Sequence, residues 1–205
     1  MVAAWTLQLA RGILALALGV TITLTLEHTP AFGLLTFGIF AVLTGLVLLL
    51  AVVRSVYSGR MRGAFFGQGV LTLAAGIVAL AVPTGDLVFF AILIGSWAIV
   101  AGLLEASSGF LTRSSAPLAR DWIIAGVLTV ALGGIALLLP PDFVQSFAGE
   151  KGNAGTLTSS VILIGVVGAW AILTGVLQCI SAVTVRADRS DSGAHADAAE
   201  AGATR

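Results

Sequence analysis

Arg11 and Glu105 are the two ionisable residues that lie inside otherwise apolar stretches, so buried chemistry would sit with them. An ionised side chain at the centre of a bilayer costs about 2.5–3.5 kcal/mol on insertion scales, and such groups pair or reach an interface. The two can form part of a proton or ion route, or a structural ion pair, or each can snorkel separately to the interface. The structural readings are preferred on the sequence. A second set, Glu27, His28, Asp86, Asp142 and Glu150, falls in the expected outer connections. Reference pKa values near 4 for carboxyls and 6.5 for histidine let these groups titrate in an acidified medium. They read as a pH sensor or as solvated loop ends.

Catalysis finds little support. The chain has no Ser–His–acid set, HExxH motif, P-loop or dinucleotide fingerprint, and His28 and His195 belong on opposite sides of a membrane. Cys179 is the single cysteine, which excludes an intramolecular disulfide and a multi-cysteine metal site. It reads as an inert packing residue of the last apolar stretch. The expectation is therefore no catalytic, cofactor or metal-binding residue.

The elements that position Arg11 and Glu105 follow from composition. Of 205 residues, 58% are hydrophobic and 10% charged, with ten basic and ten acidic side chains in balance. A soluble domain carries about 25% charged residues. This composition excludes an ordinary soluble enzyme, a nucleic-acid binder with a basic surface and a disordered chain. A bilayer core of about 30 Å needs roughly 20 apolar helical residues, and six stretches supply them, near residues 7–26, 32–53, 64–82, 87–107, 122–139 and 159–183. Pro30, Pro83, Pro117, Pro140 and Pro141 all fall in the connections, where a missing N–H breaks no helix. Arg11 ahead of an apolar run also suits a signal peptide, but no small-x-small cleavage site follows closely and the segment belongs to a repeat, so it is read as a mature helix.

The repeat is threefold. GILALALG (Gly12–Gly19), GVLTLAAG (Gly69–Gly76) and GVLTVALG (Gly126–Gly133) open the three copies at offsets of 57 residues. FGIFAVLTGL from Phe37, IGSWAIVAGL from Ile94 and VGAWAILTGV from Val167 follow at offsets of 57 and 73. The extra 16 residues belong to the third outer loop, around FVQSFAGEKGNAGT. The predicted fold is thus all-α: six transmembrane helices as three tandem helical hairpins. Each helix carries two glycines seven residues apart: Gly12 and Gly19, Gly38 and Gly45, Gly69 and Gly76, Gly95 and Gly102, Gly126 and Gly133, Gly168 and Gly175. Seven residues make nearly two turns, which puts both glycines on one face. In lipid, helices associate through close packing, so these faces read as packing surfaces, with a glycine-lined passage as the alternative. Thr44 and Thr174 precede the second glycine, and Trp97 and Trp170, aligned with Phe40, stand beside the same face.

One transmembrane domain spans 1–185, with repeats near 5–57, 58–113 and 114–185. Residues 186–205 alternate small and charged types with no apolar face and read as a disordered tail. If the spans alternate, Arg11, Arg54, Arg60, Arg62, Arg113, Arg120, Arg186, Arg189 and Arg205 fall on one side and only Lys151 on the other. Basic residues in short loops stay inside, so both termini are expected in the cytoplasm. Trp5 and Trp122 then lie at the inner interface. The lipid bilayer is the expected partner, a homo-oligomer stays open, nucleic acid is excluded, and no small-molecule ligand can be assigned.

RGILALALG (Arg11–Gly19), LVFFAILIGSWAIVAGLLEA (Leu87–Ala106) and DWIIAGVLTVALGGIALLLP (Asp121–Pro140) resemble the HdeD-type acid-resistance membrane proteins, built from a short membrane repeat of unknown function. The resemblance covers about residues 5–183. It implies a six-helix inner-membrane protein tied to survival under acid or envelope stress, and it brings no catalytic residues with it. Small-solute or ion permeation along the repeat axis is the alternative. The long third outer loop, with Glu150, Lys151 and Asn153, departs from the shorter loops of that family.

Overall fold

The computed structural model describes residues 4–54, 59–114, 118–148 and 154–203, and beyond Ala187 the backbone alone. In chain order the described elements are α1 (Ala4–Leu24), α2 (Pro30–Val53), α3 (Gly59–Ala81), α4 (Leu87–Thr112), α5 (Ala119–Leu138), β1 (Val144–Ala148), β2 (Ala154–Thr158) and α6 (Ser159–Ala203). All six helices are long and apolar enough to cross a membrane, α6 over Ser159–Ala187. The chain is a multi-pass membrane protein.

Helix starts follow from local chemistry. Thr29 takes an extended conformation and its hydroxyl accepts the Phe32 N–H at 3.3 Å, while Pro30 fills the first helical position, where no donor is needed. Asp86 caps α4 in the same way, accepting the Phe89 N–H at 2.8 Å and placing negative charge at the positive end of the helix. Gly59 opens α3 at φ +58, a left-handed conformation that L side chains resist.

Two stretches differ from the sequence reading. The third outer loop carries a β-hairpin, with β1 antiparallel to β2 and Val144 opposite Thr158. Two five-residue strands containing glycine and polar residues are too short for their period-2 alternation to stand out. Ser159 ties this hairpin to the helix ends, its hydroxyl donating to the Pro140 carbonyl at 2.7 Å and its N–H to the Phe143 carbonyl at 3.1 Å. Glu150, Lys151 and Asn153 lie outside the described residues. The second difference is the tail, read as disordered from residue 186: the backbone of α6 stays helical to Ala203. Alanine recurs through this stretch, it has the highest helix propensity, and elongating an existing helix incurs no nucleation cost.

Helix packing goes beyond the hairpin picture. The closest pairs are not the two helices of one hairpin but α1 with α6, α2 with α3 and α4 with α5, so each repeat grips the next and α1 against α6 closes the ring. Glycine is the reason. A Cβ on Gly12 would stand 3.0 Å from the Gly175 carbonyl oxygen, on Gly19 3.0 Å from that of Gly168, and on Gly76 2.9 Å from that of Gly38. Gly95 faces Gly133 and Gly102 faces Gly126 likewise, Gly45 meets the Leu73 backbone, and Gly69 meets Leu48 and Leu49. All twelve glycines thus lie in these three seams, where the absence of a side chain lets backbones meet. Cys179 packs in the first of them, its Sγ 2.7 Å from where a Gly12 Cβ would be.

Large apolar side chains such as Ile13, Leu46, Val127 and Leu173 point outward, while many of the polar residues in the spans are buried. This is the arrangement expected when lipid is the solvent. Two apolar clusters fill the interior. The larger lies toward the β-hairpin (the hairpin end) and includes Phe37, Phe90, Ile94, Leu163 and Ile164. The smaller lies toward the start of α1 (the termini end) and includes Leu7, Val52, Phe65, Leu118 and Trp122.

Candidate functional site

Between the two clusters the repeats place equivalent residues in successive layers. The layer that carries charge comprises Arg11, Gln68 and Ala125 from the first helices and Leu48, Glu105 and Gln178 from the second. Arg11 Nη2 donates to Glu105 Oε1 at 2.8 Å, and Gln68 Nε2 donates to Glu105 Oε2 at 3.1 Å. The structure thus brings together the two ionisable residues picked out from the sequence, and adds Gln68. At 5% and 3% exposure, neither Arg11 nor Glu105 reaches an interface. Each carboxylate oxygen has a donor, the condition under which a buried charge is tolerated.

The guanidinium is served less completely. Arg11 Nε and Nη1, Gln68 Oε1, Gln178 Oε1 and the Thr44 hydroxyl are buried with no protein partner. Thr44 differs here from its repeat counterpart Thr174, whose hydroxyl donates to the Trp170 carbonyl at 2.7 Å. These groups surround a cavity of about 30 Å³ that all six helices line, with Arg11, Thr44, Gln68, Glu105, Thr129 and Gln178 among its walls. Gln8, one turn from Arg11 toward the termini end, also leaves both amide atoms without a protein partner.

The next layer toward the hairpin end is aromatic. Trp97 Nε1 donates to Thr72 Oγ1 at 3.1 Å, and Trp170 Nε1 donates to Thr129 Oγ1 at 3.0 Å, each bond joining the two helices of one hairpin. In the first repeat the corresponding residues are Phe40 and Ala15. Donor and acceptor are replaced together, so no polar group is orphaned. Trp170 stands edge-on to both Trp97 and Phe40, at 5.7 and 5.9 Å between ring centroids. On the other side Phe65 and Trp122 meet at 5.2 Å. The charged layer therefore lies between aromatic contacts on both sides.

The outer candidates do not gather. Asp86 is spent as a helix cap. The His28 ring lies 3.2 Å from the Leu26 carbonyl through Nδ1, Glu27 and Asp142 are exposed, and Glu150 is outside the described residues. Among the described residues no group of three His, Cys, Asp or Glu could hold a metal ion. The sequence did not reveal the Trp–Thr bonds or the buried, unpartnered amide of Gln8. Repeat alignment, which matches Thr72 with Thr129 and Trp97 with Trp170, was the signal for the former.

These features define a class: a six-helix membrane protein whose three repeats enclose a charged layer. The chain belongs to the family described as a short repeat of unknown function (DUF308), whose model matches residues 67–139, from α3 to the end of α5, and residues 156–195, in β2 and α6. No curated protein and no solved structure matches the chain.

Proposed function

We propose that this is a non-enzymatic protein of the bacterial inner membrane, an HdeD-type component of envelope stress or acid resistance, with both termini in the cytoplasm. It works through assembly or through its contact with the bilayer, and not by passing solutes. The observation that carries this reading is the filled axis: around the charged layer the free space is about 30 Å³, with packed aromatics on either side. Permeation depends on pore diameter and on the hydrogen-bonding and charged groups that line the pore. The orientation is supported by Arg54, Arg62, Arg113, Arg120 and Arg186, which lie at the termini end. The bilayer is the partner this reading requires, and a homo-oligomer is compatible with it.

Two measurements test it. Liposomes containing the purified protein should show no proton or potassium flux above that of protein-free vesicles. A bacterial strain deleted for the protein should survive acid exposure less well and recover with the wild-type copy. A flux above that of the protein-free vesicles would replace this reading with ion permeation. Unchanged survival of the deleted strain would remove the acid-stress role.

A further inference from the structure

The three hairpins are not equally latched. In the second and third, a Trp–Thr hydrogen bond latches the two helices together beside the chamber. In the first, Phe40 stands opposite Ala15 and no such bond exists. Like the other two intra-hairpin seams, the α1–α2 seam is loosely packed compared with the glycine seams, so the missing latch is what sets it apart. An apolar groove of about 160 Å³ runs along it from the lipid-facing surface, lined by Leu14, Leu18, Ile39, Phe40 and Leu43. Phe40 lines the central chamber as well. One unlatched ring is therefore the wall between the groove and the chamber.

The chamber's chemistry defines what it accepts. Arg11 Nε and Nη1 offer donors, Gln68 Oε1 and Gln178 Oε1 offer acceptors, and the Thr44 hydroxyl offers either, all on side chains more than nine-tenths buried. Arg11 and Glu105 sum to no net charge. An anion would meet Glu105 and two amide oxygens, and a cation would meet Arg11, so the balanced set favours a neutral molecule. A cavity of about 30 Å³ is large enough to admit water, and it is lined by more polar groups than the about two to four partners a buried water needs.

We propose that the chamber is a binding site for water or a similarly small neutral, hydrogen-bonding molecule, reached sideways from the bilayer through the α1–α2 seam with Phe40 as its movable wall. A chamber with one lateral window conducts nothing across the membrane, so this inference goes beyond the proposed function without depending on it.

Water is the probe. In the full-length protein reconstituted in lipid and labelled with ¹⁵N-arginine, transfer from water to the Arg11 Nε–H reports occupancy, and its exchange rate reports access. Transfer is expected in the wild type, with R11K identifying the signal. The double variant A15T/F40W builds the missing latch and should slow exchange about fivefold, the factor one additional hydrogen bond of ordinary strength contributes to an opening equilibrium. F40A removes the wall and should speed exchange, and it serves alone if the double variant does not fold. No transfer to Arg11 in the wild type would overturn the site. Equal exchange rates in wild type, F40A and any folded A15T/F40W protein would overturn the lateral entrance.

Discussion

Glu105 is the residue on which the interior depends, because it is the single acid in a layer that contains a buried guanidinium. Its two oxygens take one hydrogen bond each from Arg11 and Gln68, at 2.8 and 3.1 Å. Removing one member of a buried ion pair leaves the other charge uncompensated and costs about 3–5 kcal/mol, whereas replacing both by apolar groups is often neutral. E105Q should therefore lower the thermal midpoint of the purified protein sharply, and the double variant R11M/E105L should recover most of the loss. Thermal unfolding in detergent compares the three. If E105Q melts with the wild type, the pair contributes little and Arg11 is served by other groups. Both charges were legible in the sequence because each interrupts an apolar run. Their pairing was not, since repeat offsets show which residues share a depth but not which rotamers meet across the axis.

At the scale of the element, the seven-residue glycine spacing could be read directly from the chain, and what it builds could not. Spacing shows that Gly95 and Gly102 share a face, while which helix that face meets depends on how three hairpins turn against one another. Those faces meet the neighbouring repeat. On Gly102 a Cβ would stand 2.7 Å from the Gly126 carbonyl oxygen and 2.8 Å from the Val130 nitrogen, both backbone atoms that cannot swing aside. G102L should lower stability by about 1–3 kcal/mol or more, the cost of overpacking a tight interface. Gly134 provides the contrast, with nothing within 4 Å of its built Cβ, so G134A should be neutral or gain up to about 1 kcal/mol from helix propensity. Expression level and thermal midpoint measured side by side decide between packing and mere composition. Equal effects at the two glycines would show that the seam does not depend on backbone approach. The β-hairpin and the helical extension of α6 were not legible for a different reason. Two five-residue strands are too short to reveal a period, and a polar alanine-rich segment lacks the apolar face on which the helix reading relied.

For the whole molecule, the ring of six helices has three glycine seams, two of them between helices that are consecutive in the chain and one, α1 against α6, between helices that are not. The geometry of that third seam repeats the other two, with Gly12 facing Gly175 and Gly19 facing Gly168. Its ends meet too, since the Arg186 guanidinium lies 5.0 Å from the centroid of the Trp5 ring. If seam geometry rather than chain order holds the ring, the position of the break between first and last helix is arbitrary. A circular permutant that begins at Gly59, joins Ala187 to Ala4 through a short flexible linker and ends at Arg54 should insert into the membrane. It should melt close to the parent, because it exchanges one unconnected seam for an equivalent one and adds only the modest entropy of closing a short loop. Its glycine dependence should also be unchanged, so that a leucine at Gly12 harms it as much as a leucine at Gly102. A permutant that inserts but melts far below the parent would show that the α1–α6 seam is weaker than its symmetry implies, and that the chain connection between repeats supplies the difference.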